Sequence, residues 1–166
     1  MSFRIRPLPR ALFADLFTLG EAELAARGAV RRTAGPEGGF PCRVSLADAE
    51  PGEELILVHF EHHSAPTPFR ASHAVYVRQA AIEADPAPGE VPPMLRSRIL
   101  SLRGFDAAGM LVTADLADGA GLEAPLEAML AQPEVEVVHL HFAKPGCYAA
   151  RAVRGEAAGG YMPDGL

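Results

Sequence analysis

The densest chemistry in this chain lies in one run, His139-Leu140-His141-Phe142-Ala143-Lys144-Pro145-Gly146-Cys147-Tyr148. It reads as a β-strand that ends in a tight turn. Side chains alternate along a strand, so His139 and His141 share a face with Val135 and Val137. The other face carries Glu136, Val138, Leu140 and Phe142. Both faces are mostly apolar, so the strand is expected to be central. The only lysine, Lys144, and one of the two cysteines, Cys147, sit at the tip. Imidazole can carry protons or bind a metal, and a thiol or an amine can act as a nucleophile.

Pro145-Gly146 fits the centre of a type II turn, in which Gly takes a positive φ. That turn would set Lys144 opposite Cys147, His141 opposite Ala150 and His139 opposite Ala152. The imidazoles would then face alanines, with Tyr148 beside them, and Cys147 would point away. A second strand, beginning near Leu55, places Leu55, Leu57, His59, Glu61 and His63 on one face.

Three chemistries suit these residues. A His-x-His pair can chelate Zn or Fe, with a third ligand from His59, Glu61, His62 or His73. Only one pair is clearly co-facial, so no resident metal and no cofactor are expected. Cys42, next to Arg43, could be a nucleophile or redox thiol, although buried cysteine more often serves as a small hydrophobe. Arg43, Arg70 and Arg78 could fork a carboxylate or phosphate; the competing role is surface ion pairing. Asp115, Asp118 and Glu123 match no calcium-loop spacing and read as a solvated turn with a helix-start carboxylate. Gly35, Gly38 and Gly39 are followed by no lysine and form no phosphate loop.

The expected ligand-binding set is therefore Cys42, Arg43, His59, Arg70, His73, His139 and His141, around a small, anionic ligand. The alternative is a non-catalytic interaction module or homodimer whose histidines are structural. A metal-dependent enzyme ranks third. Whether the chain is an enzyme stays open at this level.

The elements that must position these residues are mostly strands. Strands are expected over 3–8, 29–33, 54–62, 73–79, 99–105, 110–116, 135–143 and 147–153, with helices over 11–19, 21–27 and 121–131. One helical turn is expected over 46–50. Asp106-Ala107-Ala108-Gly109 joins one hairpin. Long proline-bearing loops span 64–72 and 85–93. Turns rather than crossovers join several strands, which predicts an α+β fold with a mostly antiparallel or mixed sheet and a few short helices. Residues 1–154 are expected to form a single domain, with 1–39 packed on it and 155–166 a loose tail.

Composition narrows the functional classes. The chain has 166 residues and a net charge of −6, and no basic cluster longer than Arg31-Arg32. Nucleic acid and anionic membrane surfaces are therefore not expected partners. The segment Met1 to Pro7 has no apolar run suited to a signal peptide, and no stretch suits a membrane span. A cytosolic, reduced setting follows as the expectation, with Cys42 and Cys147 as thiols. The strong preference for arginine over lysine points to a GC-rich bacterial genome.

Five ordered segments carry a family resemblance. They are Phe-Pro-Cys-Arg-Val-Ser-Leu at 40–46, His-Phe-Glu-His-His at 59–63, and Pro-Phe-Arg-Ala-Ser-His-Ala-Val-Tyr-Val-Arg at 68–78. Ser-Leu-Arg-Gly-Phe-Asp-Ala-Ala-Gly-Met at 101–110 and Ala-Lys-Pro-Gly-Cys-Tyr-Ala-Ala-Arg at 143–151 complete the set. Together they resemble the domain of unknown function 1203 family. Phe142 stands where that pattern has Asn. The resemblance implies a shared single-domain fold and no substrate.

Overall fold

Strand-forming runs dominate the chain, and the ladders between them are all antiparallel. The computed structural model describes residues 2–155. Its strands are β1 (Phe3–Arg6), β2 (Ala29–Thr33), β3 (Glu54–His63), β4 (Ala71–Arg78), β5 (Ile99–Phe105), β6 (Leu111–Asp118), β7 (Val137–Phe142) and β8 (Tyr148–Arg154). They form a five-stranded sheet, ordered β1-β8-β7-β5-β6, and a three-stranded sheet, ordered β2-β3-β4. The helices are short: α1 (Glu21–Ala26), α2 (Pro93–Arg96) and α3 (Glu123–Leu130). The fold is α+β and mostly β, as its turn-linked strands imply. Among the described residues, no helix is long and apolar enough to cross a membrane.

Strand β7 lies between β8 and β5, and all six of its residues are buried. Its two faces have different neighbours. Val138, Leu140 and Phe142 join Leu100 and Leu102 in a core closed by Leu126, Met129 and Leu130 of α3. His139 and His141 point the other way, toward the smaller sheet. A second core forms on that sheet from Ile56, Val58, Val75 and Val77, covered by Phe13, Leu16 and Leu24.

Local readings failed where tertiary packing set the geometry. Residues 11–19 do not make an α-helix; they make two 3₁₀ turns, Arg10–Leu12 and Ala14–Thr18. So short a stretch gains too little from helix propagation to offset nucleation, and the contacts of Phe13 and Leu16 decide its path. The helical turn expected at 46–50 is instead a loop closed by Cys42 N–H to Ala47 O and Ala49 N–H to Phe40 O, with Leu46 at φ +51°.

The β7–β8 register also differs from the expected one. The two-residue turn is wrong: Gly146 N–H donates to Phe142 O at 2.7 Å, and Phe142 N–H donates to Cys147 O at 2.9 Å. Residues 143–146 thus form a wider loop, with Gly146 at φ +83°. Beyond it, His141 pairs with Tyr148, Leu140 with Ala150 and His139 with Arg151, with a bulge between the first two pairs. The extra residue, Ala149, keeps Tyr148 on the imidazole face. Of the tail expected over 155–166, residues 156–166 lie outside the described residues, while Gly155 is tied down by its N–H, which donates to Ser2 O.

Candidate functional site

The two sheets meet across a seam of five histidines. His139 and His141 come from alternate positions of β7. His62 and His63 come from adjacent positions of β3, and His73 comes from β4. Neighbouring strand residues normally face opposite ways. The β3–β4 ladder shifts between Glu61 and His63, and this bulge lets both His62 and His63 turn inward.

The rings pack in two groups. His62 is stacked between Tyr148 and His73, with ring centroids 4.8 Å away on each side. His141 meets His62 edge-on at 5.0 Å and His73 at 5.2 Å. The second group is His63 stacked on Phe105 at 4.2 Å, with His139 edge-on to both. Backbone carbonyls orient one ring in each group. Gly109 O lies 2.9 Å from His63 Nε2, and Gly146 O lies 3.0 Å from His141 Nδ1. A carbonyl only accepts, so these two ring nitrogens carry protons.

The seam favours neutral imidazole. Burial, reinforced by the neighbouring histidines, pushes His62 down to about 2. Burial, together with the Arg103 charge and against the Gly146 hydrogen bond, pushes His141 down to about 3. His73 is half-buried and is lowered by burial, then by Arg103 and Arg43. One ring nitrogen from each of His62, His73 and His141 lies within 4.8 Å of the others. His62 Nε2 and His73 Nδ1 are only 2.6 Å apart.

On the far side of His73 opens a cleft of about 1000 Å³. Its polar wall is Arg43, Arg98, Lys144, His73, Tyr76 and Cys147. Arg43 is 1% exposed. It donates to Tyr148 O, to Pro41 O and to Cys147 Sγ at 3.2 Å. Burial lowers its pKa, opposed by the Cys147 and Cys42 sulfurs. Arg43 and Arg98 each lie 5.1 Å from the Phe142 ring centroid. Phe142 therefore gives two cations an aromatic face. A smaller cavity of about 190 Å³ lies against His62, His63, His141 and Arg103.

The structure brings together four of the residues singled out from the sequence: Arg43, His73, His139 and His141. It separates the other three. Cys42 is fully buried, and its sulfur accepts from the Ser45 and Arg78 backbone N–H groups. His59 is exposed on the opposite face of β3. Arg70 is exposed and forks Glu61 at 2.8 and 3.2 Å. Arg78 is likewise occupied by Glu53 and Ser45. Asp118 caps the 3₁₀ turn after β6, and Glu123 pairs with Arg96. Neither cysteine is in a disulfide.

Sequence reading missed His63 as a seam residue and took His62 only as an optional ligand. The usable signal was two adjacent histidines at a strand end, directly before a proline-rich loop. Arg98 and Arg103 gave no signal, because only the sheet order brings β5 against β7.

Fold and site thus define an antiparallel α+β protein with an imidazole seam beside a cationic cleft. The chain belongs to the family described as Protein of unknown function (DUF1203), whose model matches residues 39–154. The match spans the centres of both sheets; the preceding residues add one edge strand to each, β1 and β2. No curated protein and no solved structure matches the chain.

Proposed function

We propose that this protein binds a small anionic molecule in the cleft, as a binding protein or as an enzyme acting on it. One observation carries the reading. The chain has a net charge of −6, yet among the described residues no Asp or Glu lines the cleft and three cations do. Arg98 is held by Asp48 at 2.7 Å. Among the described residues, Arg43 and Lys144 are paired with no carboxylate. A buried guanidinium without a counter-charge is costly, and an anionic ligand would relieve that cost. Leu57, Ile99, Leu116 and Phe142 supply apolar wall. The fitting ligand has one acidic group and an apolar body. The setting that suits it is a bacterial cytosol, on the two thiols and the arginine-rich composition.

Calorimetric titration with carboxylates and phosphate monoesters bearing apolar groups tests this. Lys144 is exposed at the cleft mouth, so Lys144→Glu should leave the fold intact. It should weaken the best ligand by about tenfold or more, with a steep salt dependence. Equal affinity in parent and variant would remove the reading.

A further inference from the structure

We propose that His62, His73 and His141 hold one transition-metal ion of the zinc, copper, cobalt or nickel kind, with an open coordination position toward the small cavity. This goes beyond the anion cleft, and the two stand or fall separately. The three imidazoles offer one nitrogen each within 4.8 Å of one another. Bonds of about 2.0–2.1 Å to a tetrahedral ion set nitrogens about 3.3 Å apart. The seam therefore needs ring shifts of no more than about 1.5 Å from the present spacing.

Two further observations point at a ligand. Among the described residues, His141 Nε2 is buried and has no hydrogen-bond partner. Buried ring nitrogens are normally satisfied, and those that are not often mark an ion or water site. The His141 case is specific. Gly146 O accepts from its Nδ1–H, which leaves the Nε2 lone pair directed into the seam with no donor. A carbonyl that fixes the tautomer from behind is the usual support of a metal-binding imidazole. His62 Nε2 and His73 Nδ1 converge on each other at 2.6 Å, where at least one must be unprotonated and so present a lone pair.

The donor chemistry limits the metal. All three ligands are neutral nitrogens, with no carboxylate among them, so calcium and magnesium are not suited. Three protein ligands leave a fourth position. Water or a small anion can reach it from the cavity of about 190 Å³, which has Arg103 and Ser101 on its wall.

The test uses untagged protein, stripped with chelator and titrated in phosphate-free buffer with Zn(II) and Co(II), and with Mg(II) as control. One equivalent of Zn(II) or Co(II) should bind and raise Tm, and Co(II) should show the strong visible absorption of a four-coordinate nitrogen site. His62→Ala, His73→Ala and His141→Ala should each lose about 100-fold in affinity. The exposed His59→Ala should match the parent. His73 is only half-buried, so His73→Gln serves as the variant that keeps its fold. Binding that survives His73→Gln unchanged, binding lost equally in His59→Ala, or no stoichiometric binding to the parent would each overturn the proposal.

Discussion

Strands β3 and β7 each deliver a pair of histidines to the same seam, and they do it in opposite ways. On β7 the pair is His139 and His141, two apart, so the pleat alone puts both on one face. On β3 the pair is His62 and His63, adjacent, and a bulge is needed to turn both inward. Each pair is anchored by the carbonyl of a glycine in a neighbouring loop, Gly109 for His63 and Gly146 for His141. The difference lies in surroundings. A Cβ at Gly109 would sit 2.3 Å from Ala65 Cβ, whereas one at Gly146 meets nothing within 4 Å. The β3 pair is held in a packed corner, and the β7 pair by an open loop. A regular strand needs little help to aim its side chains; a bulged one is fixed by what packs around it.

The largest effect should come from acid, which strikes both pairs together. In metal-free protein His62 and His141 are neutral, with pKa values lowered to about 2 and about 3. In the unfolded chain histidine titrates near ~6.5. Stability is therefore full above ~6.5 and falls as pH drops, until His141 and then His62 protonate in the folded state. The slope is ~1.4 kcal/mol per pH unit for each ring, so about 5 kcal/mol is lost by pH ~4.5. Urea midpoints between pH 7 and 4.5 measure it. A flat profile would mean that the rings are not held neutral in either pair.

Gly109→Ala comes next and tests the packed corner. It combines positive-φ strain with a clash against Ala65, so a cost of about 3–5 kcal/mol is expected, read as a lowered urea midpoint. Gly146→Val should cost less, about 1–3 kcal/mol, because strain at φ +83° acts without a clash. It should also weaken Zn(II) binding, since the Gly146 carbonyl orients His141. If the two glycine variants melt alike, the contrast between packed and open anchors is wrong.

The smallest effect is reserved for the cleft. Lys144→Ala removes an exposed cation, and its stability cost should be below about 0.5 kcal/mol. Anion affinity should nevertheless fall about three- to tenfold, by calorimetry. A loss of stability without a loss of affinity would place Lys144 in the fold rather than in the cleft.

The sequence by itself determined the α+β class, most strand positions, the burial of β7 and the positive φ at Gly146. These follow from alternation, turn residues and glycine's lack of a Cβ, all of which act over a few neighbours. It also showed that His139 and His141 share a face, because that needs only the pleat. Two bulges and the sheet order were beyond its reach. The β3 bulge brought His63 in beside His62, while His59 stays on the outer face, and the β8 bulge moved the register by one residue at Tyr148. Which of three similar arginines stays unpaired was equally hidden. Arg70 and Arg78 find carboxylates nine and twenty-five residues away, while Arg43 is buried against a strand more than a hundred residues away. Those outcomes depend on long-range packing, where a single inserted residue reverses the face of everything beyond it.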